Sequence, residues 1–384
     1  MNTQNTPIHV HLWHRDFWIM VVANFLLSMS VTMLIPTLPR WMMFVEGLSS
    51  VETGLTMGSF AFGLFLPGAF CSFLVQHYRR NQVCVWAAVL LGIAVLLPIY
   101  VHPASLAVIL LMRIFQGAAF GLAQIVLSST LIIDTCESFQ RTEANHSATW
   151  FGRFALSLGP MAGLLLYQLF GLDLMFYVAA GCSTFAAVLI LMVHFPFRVP
   201  SDHVSVMSLD RFFLEKGWPL FISLQMIMAG VGMLLSLPLA VFDYALMMVG
   251  FLLALLAQRF VFPDADLKSE VVSGLLLVLM AELIMLYAPQ SPLHTPLLGL
   301  GLGLIGARFL LFFIKLSRHC QRGTAQSSFL LAWESGIALG IGIGYMAYEG
   351  NREGLLQTAL CLTAVPLVLY VVYLHQWFVM HKNR

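Results

Sequence analysis

An all-α membrane protein of twelve transmembrane helices, in two pseudo-symmetric six-helix bundles, is the fold class this sequence predicts, and three observations predict it. Of 384 residues, 60% are hydrophobic and 10% charged, with a mean hydropathy of +0.88, too little charge to cover a soluble globule of this size. Apolar stretches of about twenty residues, each enough to span a bilayer, recur along the whole chain. Segments in the first half also reappear in the second at a nearly constant offset.

The spans read as 17–38, 53–75, 83–100, 105–132, 148–170 and 174–196, then 218–239, 241–261, 270–288, 295–316, 327–348 and 354–379. Only Pro238 and Asp243 separate the seventh from the eighth. With both termini in the cytoplasm, fourteen of the Lys and Arg residues fall on the cytoplasmic side and only Arg40 and Arg352 outside. That asymmetry satisfies the positive-inside rule and predicts a multi-pass protein of the cell (inner) membrane. Arg113, Arg153 and Arg308 remain inside spans. The first span is too long for a cleavable signal and has no small-residue cleavage site after it.

The repeats are specific. Arg141-Thr-Glu-Ala-Asn-His-Ser147 is echoed by Arg322-Gly-Thr-Ala-Gln-Ser-Ser328, Trp150 to Gly159 by Trp333 to Gly342, and Leu74 to Tyr78 by Leu256 to Phe260, at offsets of 181 to 183 residues. A duplicated six-helix unit follows: an N-terminal bundle at 1–196, a cytoplasmic linker at 197–217 and a C-terminal bundle at 218–384. Within the linker, Asp210 to Lys216 is a candidate short surface helix.

The chemistry concentrates between Leu110 and Gly163. Arg113, Gln116, Gly117, Gly121, Gln124 and Ser128 lie three and four residues apart, which gathers them on one side of a helix. That side cannot face lipid, because a guanidinium at bilayer depth costs about 2.5–3.5 kcal/mol even on the lenient insertion scale. Asn24, Ser28 and Thr32 draw a second polar line along the first span, ending in Pro36-Thr-Leu-Pro39. Cavity lining is one reading of that line and ordinary hydroxyl packing between helices is the other.

Arg113-Ile-Phe-Gln116-Gly117 resembles the R-x-x-Q-G fourth-helix motif of the major facilitator superfamily. Gly159-Pro160-Met-Ala-Gly163 is similar to the G-P-x-x-G core of the fifth-helix motif of its proton-driven efflux members. The stretch Leu74-Val-Gln76-His-Tyr78-Arg79-Arg80 resembles the family's loop between helices two and three, with Gln76 standing where the family has Asp. The resemblance implies a major facilitator fold, a gating role for Gln76 and Arg80, and Asp134 as the partner of Arg80. A neutral Gln76 lacks the charge–dipole contribution of an Asp, typically 0.3–1 kcal/mol, so the lock it forms is expected to be weaker.

Function follows as secondary active transport: proton-coupled efflux of a small amphipathic organic compound by alternating access, from a chain acting as a monomer in the lipid bilayer. Uptake, facilitated diffusion and a non-transporting receptor or scaffold of the same fold are the alternatives. Proton coupling is expected at Glu334, with Arg308 and Arg113; a static Glu334–Arg308 pair is the competing account. The resemblance implies that Arg113 tunes coupling against the first helix, through Asn24, and a hydrogen-bonded structural arginine is the other reading. The substrate cavity is expected to include Asn24, Gln116, Gln124, Arg153, Gln225 and Trp333, although Arg153 also suits a lipid-contacting site near the headgroups. Glu282, close to a span end, is expected to snorkel. Enzymatic chemistry is disfavoured by the absence of G-x-x-x-x-G-K-[ST], H-E-x-x-H and G-x-S-x-G patterns, and no cofactor or nucleic-acid partner is indicated. The six cysteines lack metal-ligand spacing, and His9, His11 and His14 in the leader have nothing nearby to complete a ligand set.

Overall fold

The computed structural model describes residues 11–101, 104–195, 205–262 and 266–383. Twelve long helices follow one another: α1 Arg15–Phe44, α2 Ser50–Phe65 with Gly68–His77, α3 Arg80–Tyr100, α4 Leu106–Asp134, α5 Arg141–Phe170 and α6 Leu172–Met192, then α7 Glu215–Leu235, α8 Val241–Phe260, α9 Leu267–Tyr287, α10 His294–Leu316, α11 Arg322–Ala347 and α12 Arg352–His381. Ten are long and apolar enough to cross a bilayer on hydropathy alone, and the bent pair of α2 makes eleven. The remaining one, α5, is 30 residues long but more polar, because it opens on Arg141 to Ser147 and carries Arg153.

Sequence chemistry accounts for where these helices start and bend. Ser49 caps α2 reciprocally with Glu52, which occupies two of the donors a helix start leaves unsatisfied. Asp243 accepts from the Ala240 backbone N–H at 2.8 Å before α8, and Asn351 accepts from the Gly354 N–H at 2.9 Å before α12. Pro36 and Pro39 remove backbone donors from α1; the helix is interrupted at Met33 and then continues to Phe44, so the prolines sit within it rather than at its end. Pro67 lies in the 42° bend of α2. In α4, a π-helical segment at Leu127–Leu131 shifts the register of the last turns, a feature common at functional sites.

The packing is ordered by small residues. Helix α1 packs on α5 and α6, α3 on α4 and α6, and α2 on α4; later in the chain, α7 packs on α11 and α12, α9 on α10 and α12, and α8 on α10. Across the two sets, α2 lies along α11 and α5 along α8. A Cβ on Gly117 would come within 3.0 Å of the Gly63 Cα, so the glycine of the fourth-helix motif permits the α2–α4 crossing. Gly159 and Gly163 press in the same way on Thr32 and Met33, at the interruption in α1.

The described part of the linker begins at residue 205; Arg198 and Asp202 lie outside the described residues. In place of the expected surface helix over Asp210 to Lys216, only a 3₁₀ turn forms at Glu215–Gly217. Arg211 adopts a left-handed backbone with φ 61°, and its N–H donates to Thr324 Oγ1 at 2.9 Å while the Leu214 N–H donates to Ser328 Oγ at 2.7 Å. Two backbone donors are thereby spent on α11 instead of a local helix. Phe212 fills the space beside Gly68, in the bend of α2.

Candidate substrate cavity

Polar side chains from α1, α4, α5 and α11 converge on one small cavity of about 20 Å³, room for a water molecule or two. Its walls include Asn24, Ser28, Gln124, Ser128, Asn145, Arg153, Gln326, Trp333 and Glu334. Several of these are tied down. Asn24 Nδ2 donates to the Ala148 carbonyl at 2.9 Å, Gln124 Nε2 to Ser28 Oγ at 2.9 Å, and Gln326 Nε2 to Thr149 Oγ1 at 3.0 Å. The last bond runs from α11 to α5 and so joins the two sets of helices.

Arg153 is 2% exposed, twelve residues into α5 and so about 18 Å along its axis. It does not contact lipid. Its guanidinium stacks over the Trp150 ring at 4.6 Å, and none of its three nitrogens has a hydrogen-bond partner. Gly306 on α10 makes the room: a Cβ there would lie 2.7 Å from Arg153 Nε and 2.9 Å from the Trp333 ring. Glu334 reaches the same cavity from α11 and makes no hydrogen bond or ion pair among the described residues.

Arg308 does not meet Glu334. Its guanidinium pairs with the fully buried Glu270 of α9, whose second oxygen accepts from Gln258 Nε2 at 2.8 Å. Arg113 likewise misses Asn24: its NH1 donates to Gln116 Oε1 at 2.9 Å and its guanidinium lies 4.3 Å from the Phe60 ring centroid. Gln116 in turn donates to the Ala94 carbonyl of α3, and Gln225 donates to Ser335 Oγ at 2.9 Å. Of the six residues expected to line the cavity, Asn24, Gln124, Arg153 and Trp333 do so, whereas Gln116 and Gln225 face their neighbouring helices. Glu282 does not snorkel; it is fully buried, with Oε1 accepting from Thr363 at 2.8 Å and Oε2 unpartnered.

Close contacts between helices flank the cavity at two ends. At the arginine-rich end Arg80 pairs with Asp134, and a Cβ on Gly323 of α11 would lie 2.7 Å from the Ser129 carbonyl of α4. Gln76 there donates to Ser72 Oγ, one turn back on its own helix. At the opposite end α2 and α11 touch backbone to backbone: a Cβ on Gly54 would lie 2.5 Å from the Gly342 carbonyl, and Ser50 Oγ donates to the Tyr345 carbonyl at 2.7 Å. The π segment of α4 turns Ser128 toward the cavity and Ser129 toward the arginine-rich face.

Glu270, Asn145 and Gln326 were not singled out by sequence reasoning. The repeat held a signal for two of them, since Asn145 and Gln326 sit at equivalent positions of the echoed loop; Glu270 gave none, being an ordinary acid near the start of a span.

Comparison with known proteins agrees with this architecture. The model of the Major Facilitator Superfamily matches residues 20–341, while none of the curated sequences matches the chain. Among solved structures, the inward-open xylose transporter XylE from E. coli aligns at TM-score 0.69 and 13% identity, covering 93% of this chain and 95% of that one. The human organic anion transporter MFSD10 aligns at TM-score 0.66 and 16% identity, covering 92% and 98%, and the nucleoside transporter NupG at 0.64 and 16%, covering 94% and 99%. With most of its length matched by the family model and its architecture shared with these structures, the chain belongs to the Major Facilitator Superfamily of membrane transporters.

Proposed function

We propose that the protein is a proton-coupled secondary transporter that exports a small amphipathic organic compound from the cytoplasm by alternating access. The observation that carries this reading is a carboxylate, Glu334, without an ion pair or hydrogen bond among the described residues, in a polar cavity flanked at two ends by close helix crossings. Proton coupling needs a group that changes charge as the cavity changes sides, and a carboxylate held by a permanent cation would resist that change. In this reading residues 1–196 and 218–384 rock as two bundles about the cavity, with 197–217 as their hinge, and the arginine-rich end is cytoplasmic by the positive-inside rule.

Export over uptake rests on Gly159-Pro160-Met-Ala-Gly163, packed tightly against the interrupted part of α1, where a change in the α1–α5 crossing would open one end. A cytoplasmic (inner) membrane location and a monomeric working unit complete the proposal. Proteoliposomes loaded with a pH-sensitive dye test it. A transported compound, added from a panel of amphipathic metabolites and drugs, should move protons against its own flux, and collapsing the gradient should abolish accumulation. Compound flux indifferent to the gradient would instead mark a facilitated-diffusion permease.

A further inference from the structure

Two opposite charges face the same cavity, and among the described residues neither has an ion-pair or hydrogen-bond partner. Arg153 is buried, stacked on Trp150 and unbonded at all three nitrogens, while the half-buried Glu334 approaches from α11 without an ion pair. They are not paired with each other, since the ion pairs within 4.0 Å among the described residues include neither. Unpaired buried charge is costly in a membrane and persists where a ligand or mobile ion completes it. The side-chain oxygens of Gln124, Asn145 and Gln326 are also buried without donors, and all three residues line the cavity. They call for N–H or O–H groups beside the charges. Trp333 and Phe329 supply an apolar wall, their ring centroids 5.8 Å apart.

We propose that the transported compound is a zwitterion: an anionic group, such as a carboxylate, docks on Arg153, and an ammonium or similar cation docks on Glu334, with an apolar body against Trp333 and Phe329. A singly charged compound would leave one of the two protein charges stranded. This inference rests on the reading of the cavity as the substrate site. It also supplies the exchange: the cationic group of the ligand and a proton compete for Glu334, so that loading the compound expels the proton and loading the proton expels the compound. An anion alone would bind best with Glu334 protonated and would travel with the proton, not against it.

The test is binding to the purified full-length protein, read as thermal shift and as protection of a Ser128→Cys cavity thiol from alkylation. The probes are amino acids with aromatic or branched side chains, dipeptides, and ω-amino acids of increasing chain length, each beside its amide and its N-acetyl derivative. The expected result is binding of a zwitterion at least about tenfold tighter than both singly charged analogues. Arg153→Gln should reduce that compound to the affinity of its amide, and Glu334→Gln should reduce it to that of its N-acetyl form. Equal or tighter binding of a singly charged or neutral analogue, or a preference that survives both substitutions, overturns the zwitterion while leaving the cavity as the substrate site. Absence of any shift or protection across zwitterions, cations, anions and neutral analogues counts against both readings.

Discussion

Arg308 of α10 forms its ion pair with Glu270 of α9, not with the Glu334 carboxylate of α11. A structural charge pair and a free carboxylate are thereby assigned to different acids, and their stability effects separate. Glu270→Gln would strand the Arg308 guanidinium beside a buried amide and is expected to cost about 3–5 kcal/mol, toward the lower end because Arg308 is itself partly exposed. A lowered midpoint of thermal unfolding in detergent, larger than that of any cavity substitution, is the measurement. An unchanged midpoint would mean the pair contributes nothing.

At the opposite end of the cavity α2 and α11 cross in backbone contact, and a side chain there cannot be absorbed by rotamer changes. A Cβ on Gly342 would lie 2.8 Å from the Gly54 carbonyl and 2.9 Å from the Gly58 Cα, so Gly342→Val must push α2 and α11 apart. A cavity cysteine such as Ser28→Cys should then be alkylated several-fold faster by a membrane-impermeant maleimide added from that side. An unaltered rate would show that this crossing is not the gate.

Buried polar residues announced themselves in the sequence, but their partners did not. Arg113, Arg153 and Glu334 were legible because charge inside an apolar span has few explanations, and Gly117, Gly159 and Gly163 because small residues in such spans permit close crossings. Helical spacing also placed Asn24 and Gln124 on polar faces that do line the cavity. Spacing defines a face, however, not the neighbour it meets, so Gln116, on the same polar face as Gln124, bonds to an adjacent helix, as does Gln225 of α7. Arg308 pairs with Glu270, near the start of α9, and not with Glu334, midway along α11, a matter of the α9–α10–α11 arrangement and not of periodicity. The left-handed turn at Arg211 was invisible too, since it depends on hydroxyls more than a hundred residues away on α11.

At the arginine-rich end, Arg80 and Asp134 join the start of α3 to the end of α4, next to the α4 turn that touches Gly323 of α11. Exposed pairs are worth at most about 1 kcal/mol, but these side chains are only 12% and 11% exposed, and reversing one charge replaces attraction with repulsion. Arg80→Asp and Asp134→Arg should each impair transport in vesicles, and the double substitution should recover most of it. Failure of the double variant to exceed either single one would mean that the pair does not serve the gate.

Glu334 is the residue on which the mechanism turns, and the pairing of Arg308 elsewhere sharpens its test. Because the carboxylate supports no ion pair and no hydrogen bond among the described residues, Glu334→Gln should leave the unfolding midpoint close to that of the unaltered protein, in contrast to Glu270→Gln. The amide matches the protonated acid in size and polarity but cannot release a proton. Proteoliposomes containing the variant should therefore lose proton movement on substrate addition and lose accumulation driven by a pH gradient. Downhill exchange of preloaded substrate, which needs no net proton transfer, should persist at a reduced rate. Retention of full gradient-driven accumulation by a folded Glu334→Gln protein would remove this residue from coupling and direct attention to Glu282, a fully buried acid whose Oε2 has no partner among the described residues.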